Sequence, residues 1–507
     1  MLNDRVPRMV FSVSPIVNEP CDLSATEARE LIGRRKLSPV DLLESCIARA
    51  DAVDHAVNAM PARNLEAARA AARVAERAVM AGDHLPTLHG LPLGVKDLTA
   101  AGGLPFTRGS PIYANTVAED DERLVADLRQ AGAIVLGKTN TPEFGAGANT
   151  RNAVWGATGN PFDPSRSAAG SSGGSAVALA CGMVPIATGS DTGGSLRNPA
   201  AFCGVVGFRP SPGVVPSELR GHGWTPLPTN GPMARTVPDT AMLLSAMVCD
   251  DPRDPYARFT DPKSLYPLPQ TDLATLRVAK TPDFGFAPVE RQVVECFTAK
   301  TALFEGLFGC AVAASPNCDG ADEAFAVLRA VAFLGSHLTT MRERPADLGP
   351  NVTANIQEGL RYSASDVARA LTLQTSLQRR WHDFFRNFDV LISPSISIMP
   401  RVWTELYPVE IDGRMLDSYY HWLALVYVGT LAGHPCLSLP VGLDPGGMPF
   451  GIQLIGRRNG DAALLAVAAA LETVLSQDPR TARPVPSIDR LATAGPISAM
   501  PGFLGFS

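Results

Sequence analysis

From about residue 90 to 250, short apolar runs alternate with helix-like segments and glycine-rich loops, and this alternation narrows the possible folds more than any other feature. The runs Leu91–Val95, Ala133–Leu136 and Val184–Ala187 have strand length and lack a helical period. Strands that alternate with helices predict an α/β protein built on a sheet with helices against it.

The rest of the chain is consistent with one such domain. Residues 25–80 read as helical, with Ser38 as an N-cap, Pro39 at the first helical position and an Ala/Arg/Glu-rich run from Asn64 to Met80. Residues 251–290 are rich in Pro and Asp and predict a surface excursion. Helices are expected over Glu290–Leu307, Ala321–Met341 and Ser365–Phe385. Strand-like material returns at Phe388–Ser395, Cys436–Val441 and Gly451–Ile455, and Asp461–Leu475 closes as a helix. Sheet material is thus split between the middle and the end of the chain with no linker between the parts. The expectation is a single domain over 1–507: a core at about 80–250, a variable helical insertion at about 251–430 able to form part of a substrate pocket, and a returning sheet and helix at 431–475.

Composition excludes several classes. Apolar residues make up 46%, ample for a large core, and 44 basic against 50 acidic residues leave a net charge of −6 with no long run of one sign. No footprint for nucleic acid or an anionic membrane follows. The nine cysteines are odd in number, scattered and without a C-x-x-C pair, so free thiols in a reducing cytoplasm are expected rather than disulfides or zinc. Met1–Pro20 lacks the continuous apolar core of a secretion signal, and the longest apolar stretch, Ala176–Ala187, is broken by Gly182 and Pro185 and is short of a bilayer span.

Gly132-Ala-Ile-Val-Leu-Gly137-Lys138-Thr139 matches a phosphate-loop pattern letter for letter. That pattern needs a strand before the first glycine and a loop after it, whereas here the intervening residues are themselves the strand and a helix precedes them. Nucleotide binding is rejected.

The chemistry concentrates in two Gly/Ser-rich loops, Ala169-Gly-Ser-Ser-Gly-Gly-Ser-Ala176 and Thr188-Gly-Ser-Asp-Thr-Gly-Gly-Ser-Leu-Arg197. Glycines let the backbone approach a ligand, and Gly193-Gly194-Ser195 can aim successive N–H groups at one point, as an oxyanion hole requires. A serine at the end of such a loop is placed to attack the carbonyl held there, but it needs a base. None of the eight histidines sits in a recognisable nucleophile context, and no G-x-S-x-G elbow surrounds Ser195. Lys96, at the end of the apolar run Leu91–Val95, can serve if burial leaves it neutral. Read locally, the same residues also suit ordinary turns and a solvated strand-end lysine.

Three elements together resemble the amidase-signature family: G-L-P-x-G-V-K-D at Lys96, G-S-S-G-G-S at Ser171 and D-T-G-G-S-x-R at Ser195. They lie 75 and 24 positions apart, and flanking matches at Gly137–Asn140, Gly231–Arg235, Gly433–Pro435 and Gly451–Gly456 extend the resemblance over about residues 25–475. It implies an α/β/α sandwich around a large mixed sheet. It implies Ser195 as nucleophile, Ser171 as a bridging serine behind a cis Gly170–Ser171 peptide, and neutral Lys96 as base. The N–H groups of Thr192, Gly193, Gly194 and Ser195 would form the oxyanion hole, and Ser172, Asp191 and Arg197 would fix the loops around them. It implies no metal or cofactor and an enzyme that is often a homodimer. One departure stands out: Ala168-Ala169 replaces the family's usual Pro-Gly before Gly170.

The implied activity is hydrolysis of a small-molecule amide, aryl or aliphatic, with carbamates and esters open. Alternatives are the glutamine-hydrolysing subunit of a tRNA-dependent amidotransferase and a non-catalytic receptor or scaffold of the same fold. Leu348–Gly359 resembles the variable stretch of broad amidases, which disfavours the amidotransferase reading, and the intact triad disfavours the scaffold. Tyr419–Tyr427 has the aromatic density of a pocket wall and equally that of a buried helix.

Overall fold

The computed structural model describes residues 19–505, so the absence of a leader expected from Met1–Pro20 concerns residues almost wholly outside the described part. An eleven-stranded mixed sheet forms the centre. From edge to edge its strands are Ala62–Arg63, Ile134–Thr139, Pro92–Lys96, Ile186–Asp191, Thr229–Ala234, Val206–Arg209, Cys436–Leu443, Pro449–Gly456, Val390–Pro394, Arg277–Lys280 and Cys310–Ala313. Pro92–Lys96 runs parallel to both neighbours, in the register Lys96 opposite Thr139 and Leu93 opposite Ile186. Ile186–Asp191 is antiparallel to Thr229–Ala234, with Asp191 opposite Thr229.

Two glycines show how the layers are arranged. Gly451 and Gly456 are an odd number of residues apart in one regular strand and therefore face opposite sides of the sheet. A Cβ on Gly451 would stand 2.9 Å from Ala201 in the Arg197–Cys203 helix, and one on Gly456 would stand 3.1 Å from Leu464 in the Asp461–Leu475 helix. Helices therefore cover both faces. Gly173–Ala180 packs with Arg197–Cys203, and Val237–Met247 packs with Asp461–Leu475. The strands Pro92–Lys96 and Ile134–Thr139 are buried at every position, which is why they read as continuous apolar runs rather than as alternating ones.

The N-terminal helices form as their caps predict. Ser24 and Glu27 make a reciprocal capping box at Ala25–Gly33, and Ser38 Oγ accepts from the Val40 N–H at the start of Pro39–Val57. The insertion consists of Ala321–Glu343, Pro350–Gly359 and Ala364–Phe384, packed on one another. Ala321–Glu343 is the one described helix long and apolar enough to cross a membrane by length and composition, with a mean hydropathy of 1.3 over its best window. Charged residues punctuate it, so in the sequence it does not stand out as a continuous apolar run.

Three expectations need correction. Ala62–Arg63, inside the stretch read as helical, is an edge strand of the central sheet, paired with Ile134–Thr139. The 251–290 segment is not wholly a surface excursion: Arg277–Lys280 joins the central sheet, and Asp251 and Asp254 are buried. The helix expected over Glu290–Leu307 is confined to Arg291–Thr301, after which the chain turns. The phosphate-loop match is placed as argued, since Gly137, Lys138 and Thr139 lie inside a buried strand and Lys138 Nζ is 3.4 Å from Asp97.

Candidate active site

Lys96 ends the strand Pro92–Lys96, and its N–H donates to Thr188 Oγ1 at 3.0 Å across the neighbouring strand. Its side chain is buried. Nζ donates to Ser171 Oγ at 2.7 Å, to Ser172 Oγ at 2.9 Å and to Ser190 Oγ at 3.1 Å. Three hydroxyls surround the amine, and among the described residues no carboxylate comes within 4.0 Å of it. Burial therefore dominates and pulls its pKa down to about 7, against a smaller upward pull from the Asp191 carboxylate. Near neutral pH a substantial share of Lys96 is an uncharged amine, able to accept a proton.

Ser171 and Ser172 lie just before the Gly173–Ala180 helix, and the Gly170–Ser171 peptide is cis. The loop ahead of them is held by Thr150, whose Oγ1 donates to the Ala169 carbonyl at 2.8 Å and accepts from the Gly173 N–H at 3.1 Å. Ala169 has φ +56°, a left-handed conformation that glycine adopts without penalty, which gives the departure Ala168-Ala169 its physical meaning. The Ser172 N–H donates to the Ser195 carbonyl at 3.1 Å and ties the two serine loops together.

The Thr188–Arg197 loop is organised by Asp191. Its carboxylate accepts from the N–H of Gly194 at 2.9 Å and of Leu196 at 3.1 Å, and from Arg197 Nη2 at 2.9 Å and Nε at 3.1 Å. Arg209 approaches the same carboxylate at 3.3 Å and also donates to the Asp191 carbonyl. Burial pushes the Asp191 carboxyl up, but the two guanidiniums prevail and hold it well below the usual carboxylate range. Arg197 continues outward to the Val426 carbonyl, Gln453 and Thr430, so the loop is anchored on the C-terminal half of the chain.

This geometry corrects one expected donor. The Gly194 N–H already donates to Asp191 Oδ1 at 2.9 Å, whereas those of Thr192, Gly193 and Ser195 make no hydrogen bond among the described residues. Gly194 itself has φ +106°, and a Cβ there would stand 2.3 Å from Val426 Cγ2. Ser195 is half-buried, and its Oγ makes no hydrogen bond among the described residues.

Tyr419–Tyr427 follows the buried-helix reading and lies against the candidate site. His421–Leu423 is a short turn and Ala424–Ala432 a buried helix, yet Val426 backs Gly194 and the Tyr427 ring stacks on Phe325 at 4.1 Å. Every candidate from the sequence is therefore gathered at one place: Lys96, Ser171, Ser172, Asp191, Thr192, Gly193, Gly194, Ser195 and Arg197. The sequence reading missed Ser190, Thr150, Arg209, Thr430 and Gln453. Of these, only Ser190, inside the second serine loop, carried a local signal.

Comparison with known proteins agrees in extent and fold. The family model described as Amidase matches residues 41–465. The chain is 33% identical over 458 residues to an acylamidase of Rhodococcus erythropolis, covering 89% of this chain and 95% of that protein. It is also 33% identical over 502 residues to a glutamyl-tRNA(Gln) amidotransferase subunit of Anaeromyxobacter sp. (strain K), covering 93% of this chain and all of that one. The crystal structure of a bacterial aryl acylamidase of the amidase signature family superposes with a TM-score of 0.83 at 28% identity, covering 93% and 99% of the two chains.

Proposed function

The chain belongs to the amidase family and is a serine hydrolase of small-molecule amide bonds, and from that premise we propose how its own residues carry out the reaction. Ser195 Oγ attacks the amide carbon while its proton passes to Ser171 Oγ and from there to neutral Lys96 Nζ. The N–H groups of Thr192, Gly193 and Ser195 receive the developing oxyanion, each preorganised donor contributing roughly 3 kcal/mol. Collapse of the tetrahedral intermediate breaks the carbon–nitrogen bond, and Lys96 returns the proton through Ser171 to the departing amine. Water then attacks the acyl-enzyme by the same relay and releases the acid.

The observation that carries this reading is the 2.7 Å contact of a buried, depressed-pKa lysine with Ser171. The unmade bond at Ser195 Oγ fits it, because catalytic hydrogen bonds often close only when substrate arrives. Ser172 and Ser190 hold the amine in place, and Asp191 with Arg197 and Arg209 holds the oxyanion loop.

The test is amine or ammonia release from aryl amides, primary aliphatic amides, carbamates and glutamine, beside Ser195→Ala. Release by the wild type alone supports the proposal, and equal release by Ser195→Ala refutes it. A second reading, as the glutamine-hydrolysing part of an amidotransferase, rests on the Anaeromyxobacter relative. It predicts activity on glutamine and silence on the other amides. The reading also includes one domain over the chain, supported by a sheet that takes strands from both ends, a cytoplasmic home, supported by nine free cysteines, and a homodimer, which light scattering would test.

A further inference from the structure

One face of the Ala321–Glu343 helix crosses the site from loop to loop. Phe325, Arg329, Phe333 and His337 are spaced four residues apart and share that face. At one end the Phe325 ring sits where a Cβ on Gly193 would be 2.9 Å from Cζ, directly against the oxyanion loop. At the other end the His337 ring is 4.4 Å from that of Phe144, and a Cβ on the adjoining Gly145 would be 3.4 Å from Ser171 Oγ. Arg329 stands midway along this wall.

Its environment is unusual for a cation. Arg329 is only 7% exposed, and its guanidinium lies 5.0 Å from the Phe333 ring, 5.3 Å from Tyr419, 5.5 Å from Tyr420 and 6.0 Å from Phe325. Nη2 donates to the Tyr419 hydroxyl, and among the described residues Nε has no hydrogen-bond partner and no carboxylate lies within 4.0 Å of the guanidinium. The nearby acid Glu358 is engaged by the hydroxyls of Tyr420 at 2.8 Å and Tyr362 at 2.9 Å. Asn355, which also donates to Tyr419, leaves its buried Oδ1 unpartnered.

Aromatic faces attract a guanidinium, but they do not replace the hydrogen-bonding anion that a buried cation ordinarily has. Arg329 offers a planar set of donors suited to a carboxylate, within apolar walls suited to a flat hydrocarbon body. His337, held neutral because burial drops its pKa to about 4, adds no competing charge on that face.

We propose that Arg329 is a specificity-determining residue that binds a carboxylate on the substrate, remote from the scissile amide, so that the preferred substrates are anionic amides with a flat apolar body. The inference rests on the amidase reading of the same site and narrows its substrate class.

The test compares two matched pairs: 4-acetamidobenzoate with 4-nitroacetanilide, where the anion is on the leaving amine, and glutaranilate with pentananilide, where it is on the acyl group. In at least one pair Arg329→Met should lower kcat/KM for the anionic member by ~10–100-fold relative to the neutral one, the effect of removing a hydrogen bond to a charged group. Arg329→Lys should fall between, since it keeps the charge and loses the fork. Equal losses on both members of each pair would mean a structural role and overturn the proposal. A further measurement does not depend on turnover: calorimetric binding of both anionic compounds to Ser195→Ala and to Ser195→Ala/Arg329→Met. Weaker binding of one of them by the double variant supports the role of Arg329 even if the nucleophile were misassigned. Unchanged binding of both overturns it whatever the enzyme hydrolyses.

Discussion

Replacing Lys96 by methionine should change stability in a way that depends on pH. In the unfolded chain the amine titrates near its ordinary value of about 10.5, and in the fold burial brings it down to about 7. Below pH 7 the native state carries a charged, desolvated ammonium, and the full penalty is present: a shift of about 3.5 units, or about 5 kcal/mol at 1.36 kcal/mol per unit. Above 7 the native amine is neutral while the unfolded chain still binds a proton. Stability then rises with pH until the unfolded amine also loses its proton. Over pH 6 to 9 the wild type should gain about 3 kcal/mol relative to Lys96→Met, which has nothing to titrate there. At pH 6 the variant is also freed of the buried charge, although Ser171, Ser172 and Ser190 lose a partner. Glu122 and Glu472, both pushed up to about 7 by burial, titrate in the same window, but in both proteins, so the difference between the two unfolding curves cancels them. The assay is urea unfolding of the pair at pH 6, 7, 8 and 9, beside kcat/KM of the wild type, which should rise through pH 7. A stability difference that stays flat over this range would show that Lys96 carries the same charge folded and unfolded, and the case for it as the base would fall.

Ser171→Ala should lower kcat by ~10²–10⁴-fold while moving stability by less than about 1 kcal/mol, read by turnover and by unfolding; near wild-type turnover would remove Ser171 from the relay. Asp191→Asn leaves two buried guanidiniums short of an anion and should cost about 3–5 kcal/mol at neutral pH, a loss that begins to shrink below about pH 4, where the unfolded wild-type chain takes up a proton that the native carboxylate, held well below its usual range, does not. Unfolding at pH 7 and pH 3 checks both the size and the sign. Gly194→Ala meets a backbone at φ +106° and Val426 Cγ2 at 2.3 Å, and should cost about 3 kcal/mol or more together with most of the activity. Gly285→Ala, with φ +76° and nothing within 4 Å of the new methyl, should cost only about 1 kcal/mol, so similar losses for the two would refute the steric argument.

The proposed reactive groups stand out in the sequence because their constraints are local. A nucleophile beside backbone donors requires consecutive small residues, so Gly193-Gly194-Ser195 and Gly170-Ser171-Ser172 announce themselves, and Lys96 is conspicuous as a cation ending an apolar run. Helices with strong caps or long apolar faces were equally plain: Asp461–Leu475 is placed as read, and Ala321–Glu343 is within two residues of its expected end. Val206–Arg209, Thr229–Ala234 and Arg277–Lys280 do not read as strands because they are short and carry Gly, Pro or charge where strand patterning expects apolar residues, and Cys310–Ala313 because four residues are too few to show a pattern.

What the local pattern could not give are properties that arise when distant segments meet. Arg197 reaches Gln453 across 256 positions and Arg209 reaches Asp191 across 18, and nothing in either residue's neighbourhood names its partner. The strand order decides these pairings, by setting Ile186–Asp191 next to Thr229–Ala234, and Val206–Arg209 next to Cys436–Leu443. The same holds for the two residues on which function turns most. Lys96 can serve as the proposed base only because sheet and loops together bury its amine, and Arg329, which has no ion pair among the described residues, is enclosed by Tyr419, Tyr420, Phe325 and Phe333 from two separate parts of the chain. Taken alone in sequence, each is an ordinary basic residue. Desolvation distinguishes them, and desolvation belongs to the packed fold.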